Sequence, residues 1–537
     1  MTPQNIFARW RWRLTPEWGV AGILLLIAAA LWLPFGFNVG FWGDDWFFYL
    51  NARFGSAWGT LSRPLLPLAF IFGYGIAPGQ FAGFNLTLAL LLFARSGLCY
   101  ALLRRLRTGR APAFAAAVLA LVYPADTGVF YLGAIAVYLA WVAFLLALYL
   151  LILYWQSPRL IYLALMWVAQ IVSLGTYEAT YPLIFVSPLV LLLLEPRLRR
   201  RWTRILFRWY IFPALNLIRQ VSLFLLNPGA LTYQTGLVAS SNSPSAILAS
   251  FLKIYQRHFF TGWVEGDSSP AYALVAVMTG VLAGVACWRL ARGEQPRSKR
   301  FHGVLILVGL AIIGLAVLVL LPTSLRDVTL RTYFASSLGA ALALAAAAWL
   351  LTRRALLFAL LIGLLVSLGF LRLLQQHDHL AALSAVQQAD VIQVAQLAPS
   401  LSAGTALLIM DETPGRELSP VFFSRWNFQN PFLLAYDDPS LLAALCYPDD
   451  APQNPEAYCA FQAEYVEVRI SPQIVWQRPY DRVVLIRYTT AHQWVLANAP
   501  APYATSALYD PGALIDEDAA LPEVIRTMFQ GVPASGE

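Results

Sequence analysis

Two adjacent aspartates, Asp44 and Asp45, lie in the string GDDWFFY directly after the first apolar stretch of the chain. Two carboxylates side by side at a membrane surface repel each other and are poorly solvated, so displaced pKa values are expected and one aspartate could act as a general base. Adjacent side chains point in different directions in a regular helix or strand. One aspartate could therefore do chemistry while the other holds the loop or caps the helix that follows. A solvated capping pair is the alternative without chemistry.

Two further carboxylates lie near the ends of later apolar stretches. Asp126 occurs in the string YPADTG, and Glu178 occurs in the apolar string SLGTYEATYPLIF. An ionisable residue near membrane depth is costly and by default suggests a function. We expect both acids to orient a base or to bind polar groups of a substrate. The structural alternatives are a turn role for Asp126 and a helix-cap role for Glu178.

Basic residues that could bind an anionic substrate complete the set. Arginine offers two parallel hydrogen bonds to phosphate oxygens, so Arg63 and Arg331 are candidate phosphate partners. Lys253 and Arg257, in a long connection, could join them. Snorkelling to the lipid headgroups is the alternative for the first two. His258 could also join the site, but a packing role at the membrane interface is the better interpretation.

The elements that must position these residues are apolar. Of the 537 residues, 59% are hydrophobic and 12% are charged, whereas a soluble domain carries about 25% charged residues. The net charge of +8 comes mostly from arginines in short clusters between apolar stretches. That distribution is typical of a membrane topology signal rather than of a nucleic-acid-binding surface.

Apolar stretches of about 20 residues predict a polytopic all-α membrane protein. The first stretch is too long for the core of a signal peptide and lacks a small-residue cleavage site, so we expect a membrane helix there. The sequence predicts about eleven spans, at residues 18–37, 81–103, 111–124, 133–154, 159–175, 179–194, 205–226, 271–290, 302–321, 333–352 and 355–374.

Arginine clusters predict the orientation. They lie in every second connection, namely residues 9–13, 104–110, 159, 197–204, 289–300 and 353–354. The positive-inside rule therefore places the N-terminus in the cytoplasm and, with an odd number of spans, the C-terminus outside the plasma membrane. The candidate acids then fall on the outer side. Two long outer connections contain amphipathic strings that could lie along the membrane surface, DDWFFYLNARFGSAW and ILASFLKIYQRHFFTGW.

The chain divides into a transmembrane domain, residues 1–374, and a polar domain, residues 375–537. The polar domain begins with a predicted helix from His377 to Leu397, and the runs TALLIMDE, YVEVRI and RVVLIRY predict strands. We expect a small α/β or α+β domain outside the cell. In an oxidising compartment its two cysteines, Cys446 and Cys459, would pair as a disulfide.

Several motifs occur in the order and spacing of a known superfamily. They are the acidic pair in the first outer loop, an Arg-Pro string, an asparagine at the head of the second span, a proline-acidic turn before the fourth, a glutamate string ending in proline, and a late Arg-x-Tyr string. The positions are Asp44 and Asp45, Arg63 and Pro64, Asn85, Pro124 and Asp126, Glu178 and Pro182, and Arg331 and Tyr333. Over about the first 350 residues the chain thus resembles the GT-C superfamily of polyprenyl-phosphate-dependent glycosyltransferases, in particular its protein O-mannosyltransferase-like branch and bacterial relatives.

The resemblance implies transfer of a sugar from a polyprenyl-phosphate donor to an acceptor on the outer side, with inversion at the anomeric carbon. Asp44, where the leading acid of the family aligns, would be the base, with Asp45 as its alternative. Substrate would contact Arg63, Asn85, Asp126, Glu178, Lys253, Arg257, Arg331 and Tyr333. No cofactor is certain; a divalent metal is possible, with Asp44 and Glu178 as its ligands. The acceptor could be a glycan, a lipid or a protein, and nucleic acid is not expected as a partner.

The sequence departs from the family pattern at four positions. Gly83 or Phe84, Tyr123 and Tyr177 replace the histidine, histidine and lysine common in relatives, and Asp126 stands for a glutamate. These departures put the acceptor and any metal in doubt. A secondary transporter, an O-antigen polymerase or ligase, and an inactive scaffold remain alternatives. A transporter is disfavoured because the ionisable residues lie at one membrane face and no inverted repeat is visible.

Overall fold

The computed structural model describes residues 16–43, 45–54, 63–194, 200–226, 243–263, 270–294, 298–323, 326, 329–352, 354–419, 421–422, 425–450, 458–471, 474–500, 502–503, 507–516, 518–521 and 525. The described helices are α1 (Pro16–Trp32), α2 (Asp45–Phe54), α3 (Leu68–Ile76), α4 (Phe81–Arg105), α5 (Arg110–Leu121), α6 (Ile135–Gln156), α7 (Leu160–Thr176), α8 (Tyr181–Val186), α9 (Arg200–Leu226), α10 (Pro244–Phe259), α11 (Pro270–Ala291), α12 (Lys299–Val317), α13 (Thr329–Thr352), α14 (Ala355–Leu397) and α15 (Arg425–Ala435).

Contacts divide the chain into two compact units. The first contains Met1–Phe37, Gly59–Ala69 and Leu86–His377, and the second contains Asn38–Trp58, Phe70–Asn85 and Asp378–Glu537. Two stretches that the sequence analysis assigned to the transmembrane domain, residues 38–58 and 70–85, thus belong to the same unit as the C-terminal residues.

Six of the described helices are long and apolar enough to cross a membrane: Phe81–Arg105, Leu132–Gln156, Pro270–Ala291, Lys299–Val317, Tyr333–Thr352 and Ala355–Leu397. The chain is therefore a multi-pass membrane protein by the length and composition of its helices. Each of the six coincides with a predicted span.

The predicted number of about eleven spans is not confirmed. Four predicted spans coincide with apolar helices of 10–17 residues, Glu17–Trp32, Arg110–Leu121, Leu160–Thr176 and Glu178–Leu193, which are shorter than the ~20 residues that cross a bilayer unaided. The fifth coincides with α9, whose first three turns carry Arg200, Arg201, Arg204 and Arg208. Hydropathy alone did not distinguish a full crossing from a shorter apolar helix.

Capping explains where two of the helices begin. Ser243 precedes α10, and its hydroxyl accepts a hydrogen bond from the backbone N–H of Ala246 at 3.2 Å. Ser298 caps α12 in the same way through Phe301, at 3.4 Å. Each bond satisfies a donor that the first helical turn leaves unpaired.

Small residues let helices of the first unit approach closely. A Cβ atom built on Gly309 of α12 would lie 2.6 Å from the carbonyl oxygen of Gly339 on α13, and one on Gly280 of α11 would lie 2.4 Å from the carbonyl oxygen of Gly363 on α14. Close backbone packing of this kind replaces the hydrophobic driving force that lipid does not supply.

The second unit contains a small α/β domain, as predicted. A four-stranded sheet has the order β2-β1-β6-β7, with β1 (Ala406–Asp411) parallel to both β2 (Leu442–Cys446) and β6 (Val483–Tyr488), and β7 (Trp494–Leu496) antiparallel to β6. Every residue of β1 and β2 is buried, as in a parallel sheet covered on both faces. The strands β1 and β6 confirm two of the three predicted runs. The predicted helix His377–Leu397 forms the second half of α14 rather than a separate helix.

A second, antiparallel sheet has the order β3-β4-β5, formed by β3 (Cys459–Phe461), β4 (Tyr465–Ser471) and β5 (Ile474–Pro479); β4 is the third predicted strand. A disulfide joins Cys446 at the end of β2 to Cys459 at the start of β3, with 5.4 Å between their Cα atoms. It links the two sheets through a buried core that includes Met410, Tyr480 and Leu485.

Candidate functional site

Two predicted site residues, Arg63 and Glu178, form a paired contact in the first unit. The Arg63 Nε donates to Glu178 Oε2 at 2.6 Å, and Arg63 Nη2 donates to Oε1. Glu178 lies in the break between α7 and α8, and the backbone N–H of Leu65 bonds the carbonyl of Gly175 beside that break, at 2.9 Å. The guanidinium also covers the ring of Tyr177, 4.6 Å from its centre. Both charged side chains are half-buried, and each compensates the charge of the other.

Further polar groups extend this pair along the end of α9. The amide Nδ2 of Asn216 donates to the hydroxyl of Tyr181 at 2.6 Å, and Arg219 Nε donates to the Oδ1 of Asn216 at 2.9 Å. Arg219 was not among the predicted site residues, although a lone arginine in the apolar run ALNLIRQVSLFLL of a predicted span is a visible signal.

Asp126 forms a fully buried ion pair with a residue that the sequence analysis missed. Arg95 Nη1 lies 2.7 Å from Asp126 Oδ2, with side-chain exposures of 2% and 0%. Arg95 Nη2 donates to the carbonyl of Ala120 at 2.5 Å, and the hydroxyl of Tyr138 donates to Asp126 Oδ1 at 2.5 Å. The Ser337 hydroxyl lies 3.3 Å from the other carboxylate oxygen. Arg95 stands alone in the run LALLLFARSGLCYALL, which was the available signal.

The depth of this pair differs from the expectation for Asp126. Arg95 lies 14 residues after the first residue of α4, Phe81, and ten before its last, Arg105, so the pair is about 21 Å and 15 Å from the two helix ends. Asp126 is therefore paired beside the middle of α4, one of the six helices long and apolar enough to cross a membrane, and not beside its Phe81 end. The backbone between α5 and α6 is irregular and mostly buried, as required of non-helical segments at membrane depth.

Arg257 and Tyr333, two more predicted residues, form a second cluster in the first unit. The Arg257 Cζ lies 5.0 Å from the centre of the Tyr333 ring, and Tyr333 is only 1% exposed. The Arg257 Nε is buried without a hydrogen-bond partner, and among the described residues no carboxylate forms an ion pair with it. In this respect Arg257 differs from Arg63 and Arg95.

His258, the next residue, is fully buried and connects three elements. Its Nε2 lies 2.6 Å from the hydroxyl of Ser336 on α13. Its backbone carbonyl accepts two hydrogen bonds, from the hydroxyl of Tyr123 at 2.7 Å and from Trp263 Nε1 at 2.8 Å. Burial and the neighbouring Arg257 charge lower the pKa of His258 to about 3, so the ring is neutral. The adjacent residues Ser336 and Ser337 join this cluster to the Arg95–Asp126 pair.

The remaining first-unit candidates are less informative. Lys253 lies one turn before Arg257 on α10, with an exposed side chain. Arg331 belongs to the first turn of α13, and its side chain lies outside the described residues.

Two site candidates belong to the second unit. Asp45 is the first residue of α2 and is 3% exposed, and its Oδ2 accepts the backbone N–H of Trp42 at 3.0 Å. Asn85 is fully buried, and its Nδ2 donates to the carbonyls of Val39 and Phe81 at 3.1 and 3.2 Å. Both side chains hold the loop around them. Asp44 lies outside the described residues.

The described residues do not fit the divalent metal that the resemblance allows. No group of three or more histidine, cysteine, aspartate or glutamate residues with metal-ligand geometry occurs among them. Glu178, one of the two expected ligands, has both carboxylate oxygens bonded to Arg63. A cation bound there would have to displace an arginine.

An apolar groove of about 460 Å³ lies in the first unit. It is lined almost entirely by apolar side chains of α4, α6, α8, α12 and α13 and of the turn that follows α8, among them Leu103, Trp141, Leu183, Val308 and Leu338. Leu338 directly follows Ser337, and Leu183 lies five residues after Glu178. The groove and the polar clusters therefore share α13.

No family model matches the chain, and no curated protein matches it significantly. The functional proposal therefore rests on the sequence motifs and on this geometry.

Proposed function

We propose that the chain is a membrane-embedded glycosyltransferase of the GT-C type, which moves a sugar from a polyprenyl-phosphate donor to an acceptor outside the plasma membrane. The proposal combines the motif series of the sequence with the geometry of the first unit. In it, the N-terminus is cytoplasmic and the C-terminal domain is extracytoplasmic.

The observation that carries the proposal is the setting of Arg257. Its guanidinium has no carboxylate partner among the described residues and stacks on Tyr333. Tyr333 precedes Leu338, a residue of the apolar groove, by five positions, which is about 7.5 Å along a helix. A guanidinium stacked on α13, together with an apolar groove lined by later residues of the same helix, suits a ligand with an anionic head and a hydrocarbon tail. A groove of 460 Å³ is also in the usual size range of ligand pockets.

The chemistry needs a base and a cation. The acceptor hydroxyl gives its proton to an aspartate as its oxygen bonds the anomeric carbon, and the bond from that carbon to the lipid phosphate breaks. The phosphate leaves with the electron pair, and Arg257 stabilises its charge. We assign the base role to Asp44, because Asp45 is buried and bonded to the backbone of its own loop. Attack opposite the leaving group inverts the anomeric centre.

Contacts between segments agree with the alternation of sides on which the proposed orientation rests. On the arginine-rich side, the Glu294 carboxylate bonds the backbone N–H groups of Arg110 and Ala111 at the start of α5, and Arg110 lies 3.3 Å from Glu17. On the other side, the segments that carry Arg63, Glu178 and His258 make the contacts described above. The two groups match the alternation of the arginine clusters.

The test is transfer by the full chain in nanodiscs, with a panel of radiolabelled polyprenyl-phosphate hexoses and release of polyprenyl phosphate as the readout. We expect Asp44→Asn to lower turnover at least about 100-fold, the usual contribution of a general base. Arg257→Ala should also lower transfer. Asp437→Asn and Arg105→Ala, which make the same changes at exposed positions, are the controls. Full transfer by both Asp44→Asn and Arg257→Ala would refute the assignment.

A secondary transporter is the second candidate, and the Arg95–Asp126 pair favours it. Ion pairs at mid-membrane depth beside broken helices are a feature of transporters. Solute uptake by proteoliposomes that contain the unaltered chain, with no sugar transfer from any lipid donor, would support this candidate instead.

A further inference from the structure

Three hydrogen bonds of His258 fix the end of α10. The ring bonds α13 through Ser336, and the carbonyl of the same residue accepts bonds from Tyr123 and Trp263. One residue thus joins α10 to the loop after α5, to the turn that follows α10 and to α13.

The protonation of the ring follows from its partner. The Ser336 hydroxyl lies 3.1 Å from the carbonyl of Tyr333; when it donates there, the neutral imidazole donates to Ser336 from Nε2. The Nδ1 atom then has a lone pair, which is buried without a hydrogen-bond partner. The neutral Nε2–H form can be a donor to the serine, and it adds no charge next to Arg257.

The consequence concerns Arg257, the neighbour of His258 on α10. Tyr333, on which the Arg257 guanidinium stacks, also contacts the His258 ring, with 5.7 Å between the ring centres. The bond between His258 and Ser336 therefore holds α10, which carries Arg257, against α13, which carries Tyr333.

We propose that His258 is a positioning residue, which holds Arg257 over Tyr333 so that the guanidinium can receive the phosphate of a polyprenyl lipid. The ligand class rests on the proposed function above, whereas the coupling between His258 and Arg257 rests on the contacts alone. His258 does not touch the ligand in this proposal and acts only through the arginine.

The experiment measures binding of undecaprenyl phosphate to the full chain in nanodiscs, so it does not require transfer activity. His258→Phe keeps a ring but removes the donor, and Ser336→Ala removes its partner. We expect each to weaken binding roughly tenfold, the effect of one lost hydrogen bond. His258→Gln, which retains an N–H donor, should lie closer to the unaltered chain. His302→Phe, at a buried histidine on α12, is the control.

A double-mutant cycle decides between a positioning and a merely structural role. In an Arg257→Ala background, His258→Phe should cause little further loss, because the residue through which it acts is gone. Additive losses would overturn the inference, as would an unaltered chain that does not bind undecaprenyl phosphate. Binding with the expected coupling but no transfer of any sugar would refute the proposed function and leave the inference standing. Additive losses with normal transfer would refute the inference and leave the proposed function standing.

Discussion

Replacing Asp126 by asparagine should strongly destabilise the first unit. The substitution keeps the size of the side chain and an oxygen that can accept the Tyr138 hydroxyl, but it removes the charge that faces Arg95. The guanidinium is 2% exposed, so water cannot replace the lost carboxylate. An uncompensated charge would remain among apolar helices.

The magnitude follows from the geometry. At 2.7 Å and an effective dielectric constant of about 20, the attraction between the two charges is about 6 kcal/mol before desolvation is counted. Desolvation offsets much of it, and loss of one partner from a buried pair typically costs about 3–5 kcal/mol. We expect a loss of free energy of unfolding in that range. Adding Arg95→Met should restore at least half of it, because the double variant buries no charge.

The assay is unfolding in mixed micelles by titration with sodium dodecyl sulfate, followed by tryptophan fluorescence. Asp437→Asn is the matched control, since its pair with Arg53 is exposed, at 51% and 24% for the two side chains. It should cost less than about 1 kcal/mol. A loss below about 1 kcal/mol for Asp126→Asn, or a double variant no more stable than the single one, would refute this explanation of the pair.

Three further predictions concern packing, the disulfide and acid stability. Gly309→Leu should cost about 1–3 kcal/mol or more in the same assay, because its Cβ would lie 2.6 Å from the carbonyl oxygen of Gly339. Cys446→Ser opens a disulfide across a separation of 13 residues and should cost about 3 kcal/mol, measured by the susceptibility of the C-terminal domain to protease. Hydrogen bonds from Arg487 lower the pKa of Glu412 from its usual 4.5. This carboxylate therefore stabilises the domain above about pH 4.5 and loses that effect as the pH falls through its lowered pKa, so Glu412→Gln should flatten the acid side of the stability profile.

Each of these predictions has a control that would expose a different cause. Gly303 has nothing within 4 Å of a built Cβ, so Gly303→Leu should be tolerated; equal losses at both glycines would contradict the crossing argument. Dithiothreitol should bring the unaltered chain to the level of Cys446→Ser without affecting that variant further. Glu464→Gln makes the same change at an exposed site, and a similar flattening there would show that Arg487 is not the cause for Glu412.

The sequence predicted the class of protein and the character of its C-terminal domain because both depend on local patterns. Long apolar runs must be helices in lipid, since each backbone group has to bond within its own segment. The buried runs that became β1 and β6 were recognisable in the same way, because fully covered strands are continuously apolar. The cysteines were separable by their surroundings, with Cys446 in a polar segment and Cys99 in an apolar one.

The candidate site was predictable only in part. Arg63, Glu178, Arg257 and Tyr333 were singled out from the sequence, but which of them would pair was not, because the partners come from distant segments. Arg95 was not predicted, because a single arginine in an apolar run does not show by itself which carboxylate it will meet.

By itself the sequence determined that the chain prefers lipid, where its helices lie and which of its residues could carry charge near them. Only the tertiary structure decided that Asp126 is paired at mid-helix depth, that Glu178 is occupied by Arg63 and that Arg257 has no described carboxylate beside it. The physical reason is that hydropathy is a property of a single segment, whereas compensation of a buried charge depends on which side chains the fold brings within about 4 Å.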